Sequence, residues 1–511
     1  LLPKSSRRIA NHCTILELSG ISVTQSGTEP RRILPVLSGL AVGMFLAALD
    51  QTVISTASPT IATALGHLSG QSWLITSYLG TTLITTPIYG RLSDGFGRRR
   101  LFVIALSLFF VGSAICMIAD SFSVFILGRS VQGLGAGGLF SLAFATIADL
   151  VPPRERARYT LFFVAIFGSA SLLGPLMGGL IASQSKIFGV DGWRWIFALN
   201  LPLALLAIFL AFRYLHVPQR ILRQRVDLAG VFSFAVFILM LLSLSESSNS
   251  HFLSSVRIWL AVIGVISIVG FILIERRKED GAFVPLRFFR NRLFTVTVVI
   301  SGIAGAGMII GLLFTPLIVQ VRYSVSAATG GLLLLIMGLG NLFGSGFGSR
   351  IISKTGRYRE LAFSGLFAFV IGFFLLAFTL DSGFTGIDVA VFLLGVGAGL
   401  VTQFASVTAP YALGVEHLGA GSSINTFARQ FGSVLGAGIS LAALFYSWKS
   451  RDGLSTKTFS VQNSILRHLS VAAKANFVDA ARPVLIYTGV MLLVGLAVAS
   501  LLPRGVLEPN R

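Results

Sequence analysis

"GRLSDGFGRRR", residues 90–100, separates two long apolar runs, and "SRIISKTGRYR", residues 349–359, does the same further along the chain. Aligned on Gly97-Arg98 and Gly356-Arg357, both read Arg-x-x-(Asp/Ser)-x-x-Gly-Arg. The first loop follows the second apolar run, and the second loop follows the tenth. An offset of eight runs predicts two six-helix halves separated by two additional helices.

The rest of the composition agrees. Of 511 residues, 54% are apolar and only 12% charged, where a soluble domain carries about 25% charge. Mean hydropathy is +0.83. Each crossing of a bilayer takes about 20 apolar residues, and the backbone must satisfy its own hydrogen bonds there, which selects helices. The runs are long and continuous, unlike the short alternating strands of a membrane barrel. The expected fold is therefore all-α, a polytopic membrane protein of 14 transmembrane helices. It comprises a leader (1–32), a first six-helix half (33–213), a linker with helices 7 and 8 (214–292), a second half (293–502) and a tail (503–511). Helix 1 is expected over 33–57, helix 13 over 421–447 and helix 14 over 483–502, with a long loop at 448–481 between the last two.

Residues 1–32 are polar and basic and lack the apolar core of a signal peptide. Of 40 Lys and Arg, 28 fall in segments on the side of the leader and 8 in segments on the opposite side. The positive-inside rule then puts both termini in the cytoplasm, with the basic face against anionic lipids. The net charge of +20 is explained by this topology, without nucleic acid as a partner. Cys13 and Cys116 supply no disulfide framework.

Asp50, in "FLAALDQTVIST" (45–56), is the one acid deep within an expected span. A carboxylate there costs roughly 2.5–3.5 kcal/mol on insertion scales, so it marks function. It lies about 17 residues up helix 1, and Arg129 about six residues into helix 4, which at 1.5 Å per residue puts both in the outer half. Opposite charges at similar depth lower each other's cost. The other reading of Arg129 is snorkelling to the outer headgroups. Gln132 lies one turn further in.

Glycines recur in "GLGAGG" (133–138) and "GPLMGG" (174–179). Neither has the strand–turn–helix context of a nucleotide site, and no phosphate-binding G-x-x-x-x-G-K-[ST] occurs, which disfavours an ATP-driven pump. In spans, such glycines allow close helix packing, and Pro175 adds a kink. "FARQFGSVLGAG" (427–438) occupies the matching place in the second half, where Arg429 and Gln430 add polarity and no role is assigned to either; one reading of Arg429 is snorkelling near the cytoplasmic edge.

Together the motifs resemble the fourteen-helix drug:proton antiporters of the major facilitator superfamily. "GRLSDGFGRRR" resembles the family's signature loop, "LDQTVISTASPTI" (49–61) its first-helix motif, "GRSVQGLGAGG" (128–138) its fourth-helix motif, and "GPLMGG" its antiporter motif. "GWRWIFALNLP" (192–202) resembles its sixth-helix entry. The resemblance implies a secondary transporter, not an enzyme, in the plasma (inner) membrane. It would be driven by a proton gradient without a cofactor or metal, and would export amphipathic, often cationic, compounds. Asp50 and Arg129 would couple protons. Asp50, Tyr78 and Gln132 would line the substrate cavity. Gly90, Asp94, Gly97 and Arg98 would form a cytoplasmic latch that stabilises the outward-open state. Gly174, Pro175, Gly178 and Gly179 would form a hinge or seal between the halves. The alternative is a transporter of one metabolite or lipid in the same fold.

Overall fold

The computed structural model describes residues 30–67, 73–182, 184, 186–215, 227–247, 254–278, 285–325, 327–381, 383–452 and 471–507. The leader, most of the 448–481 loop and the end of the tail lie outside the described residues. Among those described, fourteen long helices carry almost all the structure. They are α1 (Pro30–Ala64), α2 (Trp73–Phe96), α3 (Arg98–Ile118), α4 (Phe122–Leu150), α5 (Pro153–Ala182), α6 (Arg194–Tyr214) and α7 (Leu228–Ser247). Then follow α8 (Ser254–Lys278), α9 (Arg292–Tyr323), α10 (Ala327–Thr355), α11 (Tyr358–Thr379), α12 (Phe384–Leu413), α13 (Leu418–Asp452) and α14 (Val471–Ala499). A two-stranded hairpin, β1 (Lys186–Ile187) and β2 (Val190–Asp191), joins α5 to α6.

Several helices run past the ends expected from hydropathy. α1 continues to Ala64, and α14 begins at Val471 and passes through Pro483. Apolarity reports only the part of a helix inside hydrocarbon, while backbone hydrogen bonding continues into the polar interface. Proline within a membrane helix is tolerated where neighbours re-satisfy the freed backbone groups.

Two large apolar cores form. One runs from Val36 to Leu215 and uses α1–α6; the other runs from Val296 to Leu507 and uses α9–α14. The groups meet along two seams, α2 with α13 and α5 with α10, and α4 also touches α13. Under the eight-helix offset, each seam becomes the other. A smaller apolar cluster holds α7 and α8 outside the first seam, where Phe234 and Phe271 meet Leu83 of α2 and pack with Phe427 and Phe431 of α13.

Ten of these helices are long and apolar enough to cross a membrane by length and composition. α2, α5, α7 and α13 fall outside that set. In α7 the apolar stretch is shorter, Ala229–Leu244. The other three are seam helices, rich in glycine, serine and threonine. Each of these three also packs on a helix of the other group, which takes part of its surface out of contact with lipid.

A candidate proton-coupling site and its latch

α4 carries the site's chemistry because its glycines let it sink between α2 and α3. A Cβ at Gly133 would strike Thr81 and the Tyr78 carbonyl of α2, and one at Gly135 would strike the Ala105 carbonyl of α3. The "GLGAGG" stretch is thus a packing surface. It delivers Arg129 and Gln132 to the centre of the first helix group.

There Asp50 and Arg129 form an ion pair, with Arg129 Nη1 2.6 Å from Asp50 Oδ2. The other carboxylate oxygen, Oδ1, accepts from Gln132 Nε2 at 2.8 Å and from Asn200 Nδ2 of α6 at 2.8 Å. Arg129 also donates to Gln132 Oε1 at 2.6 Å and through Nε to the Leu74 carbonyl at 3.1 Å. Its guanidinium lies 4.3 Å from the centre of the Tyr78 ring, a cation–π contact. The Tyr78 hydroxyl donates to the Ala47 carbonyl at 3.3 Å, and Gln132 Nε2 reaches Ser113 Oγ of α3 at 2.9 Å. Five helices therefore contribute side chains to one polar knot inside an apolar bundle. A buried charge is tolerable only when paired and fully hydrogen-bonded, and this network meets that condition.

Arg129 points into the bundle, so snorkelling does not account for it. Asp50 and Arg129 are each 1% exposed and Gln132 is 0% exposed. Asp50, Tyr78 and Gln132, expected to line a substrate cavity, are sealed inside the first helix group in this conformation. Asn200 and Ser113 were not singled out from the sequence. Asn200 had a usable signal, an amide within the apolar stretch "IFALNLPLALL" (196–206).

The residues expected to form a latch converge at one end of the α2–α13 seam. Gly97, at φ +90°, turns the chain from α2 into α3; this left-handed conformation favours glycine. Arg98 is thereby aimed back at α2, where Nη2 meets Asp94 Oδ1 at 2.6 Å. Its Nε meets Asp149 Oδ2 of α4 at 2.7 Å, and Nη1 donates to Ser93 Oγ. Asp94 Oδ2 accepts the Ala420 amide at 3.2 Å, in the first turn of α13. Gly90 permits the close approach, since a Cβ there would strike Ser423 Oγ of α13.

The expected hinge lies on α5. Gly174 is buried against Thr52 and Val53 of α1, and Thr52 Oγ1 donates to the Ala170 carbonyl at 3.1 Å. Gly174 thus packs α5 within the first helix group, while another part of α5 meets α10 across the seam. Gly178 is also buried. The side-chain surroundings of Pro175 and Gly179 lie outside the described residues. The counterpart on α13 behaves alike: Gly432 presses on Gly302 of α9, and Gly436 on Ala306. Under the eight-helix offset, α5 against α1 becomes α13 against α9.

Comparison with known proteins agrees with this architecture. The family model described as the Major Facilitator Superfamily matches residues 40–437. The chain is 32% identical to Multidrug resistance protein 3 of Bacillus subtilis (strain 168), over 79% of this chain and 78% of that protein. It is 32% identical to Multidrug transporter protein MdtP of the same organism, over 81% and 76%. It is 33% identical to the MFS-type efflux pump LUC4 of a Fusarium species, over 80% and 73%. Among solved structures, the proton:xylose symporter XylE superposes with a TM-score of 0.63 at 18% identity, covering 94% of this chain and 98% of that one; at such identity the likeness speaks for fold alone. The family model spans most of the length, the relatives exceed 30% identity across both helix groups, and the fold is shared: this chain belongs to the Major Facilitator Superfamily.

Proposed function

We propose that the protein is a proton-coupled exporter of amphipathic, drug-like compounds that works by alternating access between its two helix groups. The observation that carries this reading is the enclosed Asp50–Arg129 pair, an ionisable knot in an otherwise apolar bundle. Relatives named as multidrug transporters and an efflux pump support export of drugs over transport of one metabolite or lipid. In this reading all fourteen helices span the plasma membrane, α7 and α8 flank two pseudo-symmetric six-helix halves, and both termini are cytoplasmic. Protons and small amphipathic compounds are the partners, anionic lipids border the basic inner face, and no cofactor takes part.

The network suggests how a proton would act. When Asp50 is ionised, Arg129, Gln132 and Asn200 tie α1, α4 and α6 together. A proton on Asp50 removes the charge that holds Arg129, which then keeps Gln132, the Leu74 carbonyl and the Tyr78 ring. α1 is released from α4 but remains packed on α5 through Thr52 and Gly174. Movement of α1 would thus reach α5 and its seam with α10. The latch holds the cytoplasmic end shut meanwhile, which corresponds to an outward-facing state.

The test is ethidium transport by the full chain in vesicles under an imposed proton gradient, compared with Asp50→Asn. Gradient-driven accumulation is expected for the wild type and a loss of at least tenfold for the variant. Undiminished transport by Asp50→Asn would sink the proton-carrier role.

A further inference from the structure

Arg429 lies eleven residues beyond Leu418 in α13, about 17 Å along the helix axis at 1.5 Å per residue. Leu418 begins the turn that meets Asp94, so Arg429 sits near the middle of a hydrocarbon layer of roughly 30 Å. This depth disfavours the reading in which it snorkels at the cytoplasmic edge.

The faces of α13 fix where Arg429 points. Gly419, Ser423 and Gln430 meet α2; Gln430 Oε1 accepts from Thr86 Oγ1 at 3.2 Å. Phe427 and Phe431 meet α7, with ring centres 5.2 Å from Phe234 and 6.3 Å from Phe237. Asn425, Gly432 and Gly436 meet α9, where Ser301 Oγ lies 2.5 Å from Asn425 Oδ1. At about 100° per residue, one sector remains, between the α9 and α2 faces and opposite the phenylalanines. It carries Ser422, Thr426, Arg429 and Ser433; its α9 edge is fixed by Ser433 Oγ, which donates to the Gly305 carbonyl at 2.9 Å, and by Gly305, which packs on the backbone of Arg429. Beyond α9 and α2, α13 also meets α4 of the other helix group, and the sector lies on the side away from the phenylalanines that face α7.

Arg429 is half-buried, and among the described residues no hydrogen bond or ion pair reaches its guanidinium. Ser422, on the same stripe, is 4% exposed and its hydroxyl has no partner. No carboxylate stands ready to neutralise Arg429. Asp50 is committed to Arg129 in the sealed knot, and the other described acids lie within three turns of a helix end. The deep face between the two groups therefore presents an unpaired positive charge. That is the reverse of the preference for cationic compounds that the resemblance implies. A guanidinium in a low-dielectric setting favours a carboxylate above all, through charge-assisted, fork-like hydrogen bonds.

We propose that Arg429 is the anchor for an acidic group of the transported compound, so that the site takes amphipathic organic acids. This rests on the export reading above. The probes are dansylglycine, which carries a carboxylate, and dansylamide, which does not, with binding to the purified full chain followed by dansyl fluorescence. The wild type is expected to prefer dansylglycine by about tenfold or more, the range of a charge-assisted hydrogen bond. Arg429→Gln should erase that preference, and Arg429→Lys should keep part of it. Equal binding of the two probes by the wild type overturns the anchor without reference to any variant's folding, and so does an undiminished preference in a folded Arg429→Gln. Gradient-driven transport by the wild type is read separately, with dansylglycine as cargo beside ethidium. Transport of neither, alongside a dansylglycine preference in binding, would remove the export reading and leave the anchor, and transport of either without the preference would do the reverse.

Discussion

Asp94 of α2 accepts the backbone amide of Ala420 at the start of α13, so a carboxylate from one helix group caps a helix of the other. The same side chain pairs with Arg98, which is tied to Asp149. One carboxylate thereby connects α2, α3, α4 and α13. A negative charge at a helix N-terminus satisfies an orphan amide and the helix dipole together. Loss of such a cap costs about 0.5–2 kcal/mol.

Asp94→Ala should therefore open the cytoplasmic end. Spin labels at Phe96 and Glu416, both exposed, would report the separation of the inner ends of α2 and α13. A population at longer distance is expected. Asp94→Asn, which keeps an acceptor for Ala420 but loses the charge facing Arg98, should fall between wild type and Asp94→Ala. Identical distance distributions in all three proteins would rule out the cap as a latch.

Asn200 gives a second test. It is one of two donors to Asp50 Oδ1, and its removal leaves the ionised carboxylate less well satisfied, at a cost of about 1–3 kcal/mol. Asn200→Leu should lower the thermal unfolding temperature and slow gradient-driven ethidium transport, because Asn200 ties α6 to the carboxylate of α1. Unfolding and transport indistinguishable from the wild type would show that Asn200 only fills space.

Charge made the Asp50–Arg129 pair legible in the sequence. Each residue interrupts an apolar run, and a fixed rise per residue gives comparable depths. Asn200 and Ser113 carry no charge and were passed over, although they complete the network. The Gly97–Arg98 repeat was legible because a turn with positive φ leaves a glycine in the sequence. Which helices meet across the seams was not, since contacts such as Asp94 with Ala420 join residues more than 300 positions apart. The orientation of Arg429 was hidden for a related reason: its helix begins earlier than the apolar run does, and only its neighbours show which face turns inward. The sealing of Tyr78 and Gln132 belongs to a conformational state, and a sequence with two or more states does not display which one is occupied.

The linker pair makes a pH prediction. Asp227 precedes α7, accepts the Gly230 amide at 3.0 Å as a helix cap, and pairs with Lys278 at the end of α8 at 2.6 Å. Burial pushes its carboxyl up, but the Gly230 amide and then Lys278 outweigh burial and hold it below its ordinary value. The folded form thus binds the proton more weakly than the unfolded one. Its contribution is fully present above about pH 4, the ordinary Asp value, and is lost as pH falls through the lower folded value. Amide hydrogen exchange over residues 227–231, corrected for intrinsic rates, should accelerate in that acid window and in Asp227→Ala at neutral pH. Equal protection in wild type and variant at neutral pH would discard the cap.

The glycine contacts yield a test with an internal control. Gly432 lies so close to Gly302 of α9 that a Cβ would strike the Gly302 carbonyl and backbone. Backbone on both sides leaves nothing flexible to yield, so Gly432→Ala must push α13 away from α9. Overpacking of this kind costs typically about 1–3 kcal/mol. Gly168 in α5 has open space where its Cβ would go, so Gly168→Ala should be neutral or gain up to about 1 kcal/mol by restricting the unfolded chain. Both substitutions add one methyl group to a membrane helix, so hydrophobicity and helix propensity change alike, and only the neighbour differs. Thermal unfolding of the purified variants should show Gly432→Ala below the wild type and Gly168→Ala at or above it. Equal shifts for the two would mean that α13 and α9 are not held at the separation this packing requires.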